Sequence, residues 1–164
     1  LQTPEEAKQA FDAIVSRGRA YKADAVIEGV LVQKMASSGT EIILGLNRYP
    51  VFGPLLMFGI GGIFVEVFQD VTFRLAPIGR NEARRMVRQI KGYKLLQSFR
   101  GRPKGDIETI EKCLVGLSNL AINHPEIIEL DINPLLVHAE GQGATAADCR
   151  MILRAPGSDQ PPEH

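Results

Sequence analysis

The residues with the clearest chemical potential lie near the end of the chain, in the run Glu129-Leu130-Asp131-Ile132-Asn133. Side chains of an extended segment alternate between faces. Ile128, Leu130 and Ile132 then point into a core, while Glu129, Asp131 and Asn133 share the other face. The segment reads as a strand over Ile127 to His138. A second strand, Ala144 to Leu153, follows the turn Glu140-Gly141-Gln142-Gly143, so the two form a hairpin. If Ala139 pairs with Ala144, Asn133 falls opposite Arg150 and diagonal to Asp148. Diagonal neighbours on one face sit roughly 7–8 Å apart, a span that a hydrated divalent cation bridges. A carboxamide oxygen and a carboxylate, with Asp131 alongside, suit Mg²⁺, which takes a few oxygen ligands from protein and the rest from water or phosphate. The same pattern also describes a half-exposed hairpin with merely solvated polar residues. Asn133-Pro134 adds a little to the first reading: proline inside a strand removes a ladder donor, which suits an edge or a bulge, and bulges re-aim side chains at sites.

Other candidates carry less. Gly59-Ile60-Gly61-Gly62 can bring backbone amides near a phosphate, but it lacks the GxGxxG spacing and no Lys-Ser/Thr follows, so a tight turn is the better reading. Arg100-Gly101-Arg102-Pro103 reads as an anion grip or as a surface loop. His124 sits at a helix end and His138 at a strand end. Neither has a Ser, Cys or metal-ligand partner at useful spacing, so a hydrolytic triad has no support. Cys113 and Cys149 read as two reduced thiols.

The elements that position these residues follow from local pattern. Thr3-Pro4-Glu5-Glu6 is a capping box with proline at the first helical position, and Ala7, Ala10, Phe11, Ile14 and Val15 keep helical spacing up to Gly18. Val26 to Gln33 and Glu41 to Leu46 are rich in branched aliphatics and predict paired antiparallel strands across Ser37-Ser38-Gly39. Leu55 to Phe58 predicts a third strand and Ile63 to Phe68 a fourth. Asn81 to Ile90 predicts a helix with Ala83, Met86, Val87 and Ile90 inward, Arg84, Arg85 and Arg88 solvated, and Gly92 as its stop. Asp106 caps a long helix to about Asn123, with Ile107, Ile110, Leu114, Leu117 and Ala121 as the buried stripe and His124-Pro125 as the stop. The fold class is α+β with a largely antiparallel mixed sheet and flanking helices. The tail 155–164 has nothing to bury and is expected to be disordered.

Composition bounds the partners. With 164 residues, 45% hydrophobic and 23% charged, the chain is ordinary globular material. The 19 Lys+Arg and 19 Asp+Glu cancel, which leaves no electrostatic case for nucleic acid. The uncharged run 49–65 contains Pro54 and four glycines and falls short of a span of about 20 residues, so no membrane partner is expected. Without a basic, apolar leader at Leu1, a cytoplasmic location is expected.

Several segments in order also resemble one family: Glu28-Gly29-Val30-Leu31-Val32-Gln33, Gly39 to Gly45, Phe52-Gly53-Pro54, Gly61 to Glu66, Phe73-Arg74-Leu75-Ala76-Pro77, Arg100 to Pro103, and Glu129 to Val137. The set resembles the ATP-grasp module of NDP-forming acyl-CoA synthetases, the group with ADP-forming acetate–CoA ligase, and is more distantly similar to the succinyl-CoA synthetase β subunit. The likeness runs from Leu1 to Leu153. It implies an ATP-grasp-like fold over 1–154, lacking the module's N-terminal subdomain.

It also implies Mg²⁺ and ATP/ADP as cofactors and the reaction acyl-CoA + ADP + phosphate = carboxylic acid + CoA + ATP, through an acyl phosphate and a phosphohistidine. Gln33, Lys34 and Met35 match the hinge beside the adenine, and Glu41 a position near the ribose and phosphates. Asn133 and Asp148 match the metal ligands, and Asp131 an acidic position that assists phosphoryl exchange. Gln33 stands where some relatives have Glu, and Tyr49 where many have Asp. The family's phosphate-binding lysine, glycine-rich cover and phosphorylated histidine have no match here. The chain alone is therefore expected to be inactive as a ligase, to work with a CoA-binding subunit or fused CoA-binding domains, and to self-associate through an incomplete sheet edge. Two alternatives belong to other classes: a non-catalytic nucleotide- or partner-binding module of a larger protein such as an acetyltransferase fusion, and a plain partner-binding α+β domain.

Overall fold

A computed structural model describes residues 1–62, 70–98, 101 and 103–154. It contains two compact units, one comprising Leu1–Met35 and one beginning at Ala36. The expected fourth strand, the 155–164 tail and both arginines of the Arg100–Pro103 motif lie outside the described residues.

The first unit is built on α1 (Pro4–Tyr21). Thr3 Oγ1 accepts the Glu6 amide at 3.2 Å, and the Glu6 carboxylate takes the Gln2 amide at 2.6 Å. Two of the donors near the helix start are thus satisfied, as the capping box requires. No residue of α1 is buried. The strand expected over Val26–Gln33 does not form: residues 22–39 have no regular secondary structure, and Val26 and Met35 are about nine-tenths exposed. Branched aliphatics favour a strand only beside a partner with free backbone groups. Both edges of the strand that Val26–Gln33 was to join are already occupied.

That strand, β1 (Thr40–Tyr49), is the middle of the second unit. It pairs with β2 (Gly53–Ile60) on one side and β4 (Ile127–Val137) on the other. Outside β2 lies β3 (Val71–Leu75), a strand not anticipated although Val-Thr-Phe-Arg-Leu alternates; its apolar side chains lie on the more exposed face and Thr72 is the buried one. Outside β4 lie β5 (Ala144–Ala146) and β6 (Cys149–Leu153). Among the described residues all pairings are antiparallel and the sheet has six strands.

One face of the sheet is covered by α2 (Arg80–Gln89) and α3 (Ile107–Asn123). Leu44, Leu46, Leu56 and Phe58 from the sheet meet Met86 and Val87 of α2 and Ile110 and Leu114 of α3 in one closed core. The helix stripes read from sequence match this burial.

Arg84, Arg85 and Arg88 of α2 are exposed, as the sequence predicts. Arg84 Nε nevertheless lies 3.2 Å from the buried Glu111 carboxylate of α3, and Arg80 bonds Glu108 at 3.0 Å. Gly92 is not the helix stop. Ile90 is already extended, and a short 3₁₀ helix (Lys91–Leu96) begins where Asp70 accepts the Lys91 and Gly92 amides at 2.8 and 2.6 Å. A Cβ at Gly92 would stand 2.8 Å from Ile60, so the glycine permits close packing.

Helix α3 is held at both ends. Asp106 caps its start. At its end Arg48 of β1 donates to the carbonyls of Ala121, His124 (3.2 Å) and Ile127 (2.9 Å), placing a cation on the negative pole of the helix. Among the described residues no helix is long and apolar enough to cross a membrane.

Candidate functional site

The sheet face opposite α2 and α3 carries the acidic residues. Gly45 pairs with Asp131, and Asn47 with Glu129, across β1 and β4. On the other side of β4, Asp131 faces Arg150. Arg150 lies 3.5 Å from Glu129, diagonal to it, and so neutralises the wrong carboxylate to relieve Asp131 fully. Burial, then the Glu129 charge, push the Asp131 carboxyl above the usual range. Arg150 opposes this, and Asp148 adds to it. Asp148 is thus electrically part of the same cluster.

The register corrects the expected one by two residues. Ala139 does not pair with Ala144. It bridges to Gly105, and Val137 pairs with Ala144 instead. The cause lies outside the hairpin: Asp106 accepts the Gly141 and Gly143 amides at 3.1 and 2.9 Å, and its own amide donates to His138 O at 2.9 Å. The turn is drawn onto the start of α3, so it uses more residues. Arg150 consequently faces Asp131 rather than Asn133. Asn133 meets Asp148 directly, its amide donating to the Asp148 carbonyl at 3.2 Å.

The bulge expected at Asn133-Pro134 is present. Against β1, Ile132 pairs with Leu44 but Leu135 with Ile42, so β4 carries one extra residue there. Burial parity along β4 switches accordingly: Ile128 and Leu130 are buried before it, Leu135 and Val137 after it. The continuous outer strand expected from Ala144 to Leu153 breaks opposite the bulge. Pro134 has no amide to give, and its carbonyl takes the Ala147 amide at 3.0 Å. The break bends the chain at Ala147 and leaves Asp148 outside the strands, exposed, with one carboxylate oxygen accepting the Cys149 amide at 2.9 Å.

Asn133 is exposed as well. Two exposed oxygen-bearing side chains, the Asn133 carboxamide and the Asp148 carboxylate, with the Asp131 carboxylate two residues from Asn133, form a donor set that suits a hard cation with open coordination positions. Among the described residues no group of three or more His, Cys, Asp and Glu side chains is gathered as a closed metal cage.

The other candidates are placed as follows. Glu41, exposed, pairs with Leu136, and Glu41 O accepts the Gly61 amide at 2.7 Å. A Cβ on Gly61 would stand 3.0 Å from Glu41 Cβ, and Gly62 has φ +69°; Gly59 and Ile60 of the glycine run belong to β2, and only Gly61 and Gly62, beyond its end, leave the strand beside Glu41. Four residues along β1 separate Glu41 from Gly45, the partner of Asp131, about 13 Å of strand. Gln33, Lys34 and Met35 are exposed and belong to the first unit. A cleft of about 220 Å³ adjoins the acidic cluster, lined by Gly45, Asn47, Tyr49, Met57, Phe73 and Asp131 among others. Sequence reasoning took Asp106 for a helix cap and missed its hold on the turn. The only hint was a cap residue of the type that also binds turn amides.

Residues 1–153, with their helix-backed antiparallel sheet, match the ATP-grasp domain family, to which the chain belongs. Its relatives are ADP-forming acyl-CoA synthetase chains. It is 44% identical over 153 residues to the β subunit of ADP-forming acetate–CoA ligase I from Pyrococcus furiosus, covering 93% of this chain and 65% of that subunit. It is 47% identical over 146 residues to ADP-forming acetate–CoA ligase I of Archaeoglobus fulgidus, covering 89% of this chain and 21% of that protein. The fold superposes with a TM-score of 0.84 at 43% identity on a dinucleotide-forming acetyl-coenzyme A synthetase of Ca. Korarchaeum cryptofilum in complex with coenzyme A and Ca-AMPCP, covering 92% of this chain and 65% of that one. The chain thus spans just under two thirds of the curated β subunit and about a fifth of the longer ligase.

Proposed function

We propose that this chain supplies the metal-and-phosphate wall of the nucleotide site in an ADP-forming acyl-CoA synthetase, which converts acyl-CoA, ADP and phosphate to carboxylic acid, CoA and ATP. The observation that carries the reading is the backbone pairing of Asn133 with Asp148 at the β4 bulge, with both side chains exposed and Asp131 two residues away. Asn133 and Asp148 would hold Mg²⁺ by their side-chain oxygens, and the ion, when bound, screens charge on the phosphoryl oxygens.

The protein's own groups do the rest. Asp131 keeps a carboxylate beside the transfer path, where it orients the phosphoryl-carrying imidazole. Glu41 lies along β1 at a distance fit for the ribose end of the ligand, and the backbone of Gln33, Lys34 and Met35 offers hydrogen bonds to the adenine edge. The histidine and the CoA site come from a CoA-binding subunit or fused domains, as the naming of the Pyrococcus furiosus relative as a β subunit supports. Catalysis here is positioning, so the chain alone is inactive. The exposed apolar residues Val26, Leu31, Val32 and Met35 support self-association when that partner is missing.

Calorimetric titration tests the assignment. ADP should bind this chain more tightly with Mg²⁺ than without it, and Asp148→Ala should abolish the difference. Equal metal dependence in Asp148→Ala, or no binding of Mg²⁺-ADP by the wild type, overturns it.

A further inference from the structure

We infer that Asp106, remote from the candidate metal ligands in sequence and seated on a different element, is the positioning residue that brings Asp148 to Asn133. The inference rests on the proposed metal role of that pair. Asp106 is 6% exposed, and both its carboxylate oxygens are engaged. Oδ1 accepts the Thr109 amide at 3.0 Å and so caps α3. Oδ2 accepts the amides of Gly141 (3.1 Å) and Gly143 (2.9 Å) and so grips the β4–β5 turn. Two further bonds lock the same joint: the Glu140 amide to Lys104 O at 2.9 Å, and an ion pair between Lys104 and Glu140.

Both gripped glycines have positive φ, +80° and +78°, a conformation other residues adopt only with strain. Their amides therefore point at one oxygen without cost to the turn. This grip sets which residues close the turn, and hence the pairing of Val137 with Ala144. Only four residues separate Ala144 from Asp148, and side-chain facing in a strand reverses with every one-residue slip. A register set at the turn thus decides whether Asp148 presents its carboxylate beside Asn133. A simple helix cap would need only Oδ1; the second oxygen has no part in capping α3.

The test separates positioning from stability. Asp106→Ser keeps a capping oxygen for Thr109 but is too short for the glycine amides. Ser118→Ala serves as a control: it removes the buried Oγ that accepts the Ile78 amide at 2.8 Å, loosening the same helix far from the turn. Mn²⁺ binding to the apo chain, followed by the EPR signal of the free ion, and amide hydrogen exchange are measured on both and on the wild type.

Asp106→Ser should weaken Mn²⁺ binding at least threefold and speed exchange of the Gly141, Gly143 and Asn133 amides at least tenfold, with Ser118→Ala changing neither at a comparable loss of melting temperature. Equal effects in the two variants, or wild-type exchange at these amides in Asp106→Ser, overturn the inference. Selective exchange without measurable Mn²⁺ binding in any form upholds the positioning link and overturns the metal reading instead. If Asp106→Ser does not fold, Asp106→Asn, which retains one acceptor oxygen and sets an amide donor against the glycines, is read the same way.

Discussion

Asp131 is a charge held where the protein does not favour it, and neutralising it should stabilise the fold. Glu129 and Asp131 lie two residues apart on one face of β4, a separation of about 7 Å. Two like charges at that distance repel by roughly 0.6 kcal/mol at the dielectric of water and about 2.4 kcal/mol at an effective value of 20. Asp131 is only half-buried, so solvent screening pulls the figure toward the lower end, and Arg150 offsets part of the remainder. Partial burial adds a desolvation cost of the same sign. A net gain of about 1 kcal/mol for Asp131→Asn at neutral pH follows, or about 3 °C in melting temperature for a domain of this size.

The sign with pH is fixed by linkage. A carboxyl raised in the native state binds its proton more tightly there than in the unfolded chain, so the wild type recovers stability as pH falls through the raised value. The advantage of Asp131→Asn should be full at pH 7, shrink on acidification, and vanish below the unfolded carboxyl range of about 4. Calorimetric melts of the two proteins across that range, repeated at high salt to shrink the repulsion, measure it. A variant less stable at pH 7, or equally advantaged at pH 3.5, would refute the reasoning. A destabilising carboxylate kept in such a place is the trade expected where function needs the charge.

Arg48→Met keeps the apolar stem but removes the donors to Ala121, His124 and Ile127, leaving the end of α3 uncapped. Thermal unfolding should show a loss of about 1–3 kcal/mol, with the Mg²⁺ dependence of ADP binding unchanged. Static light scattering over a wide concentration series should show mass rising with concentration, through the exposed apolar groups of the first unit and its unpaired extended backbone; a constant monomer mass counts against that reading.

The helices were legible because their signals are local. Thr3-Pro4, Asp106 and His124-Pro125 mark ends within four residues of the groups they satisfy, and the stripe Ile110, Leu114, Leu117, Ala121 needs only the period of the helix. Strands were less so. Val26–Gln33 has the composition of a strand, but composition cannot show that a neighbour is present. Arg84 is solvated as read, but its ion pair with Glu111, on another helix, is invisible in the local pattern. The turn 140–143 reads as a plain four-residue hairpin loop because the residue that remakes it, Asp106, lies 35 and 37 positions away from the amides it takes.

The candidate site shows the same division in miniature. Alternation alone placed Glu129 and Asp131 correctly, since both precede the bulge. Asn133 stands where alternation ends: β4 carries an extra residue against β1 there, and Pro134 denies the outer strand a ladder bond, so Asp148 lies just past a bend instead of in a strand. The expected diagonal relation became a direct one because the register differs by two residues, the same step that separates Arg150 from Asp148. A chain with the bulge but without the Asp106 carboxylate would retain every candidate ligand and lose the contact between them.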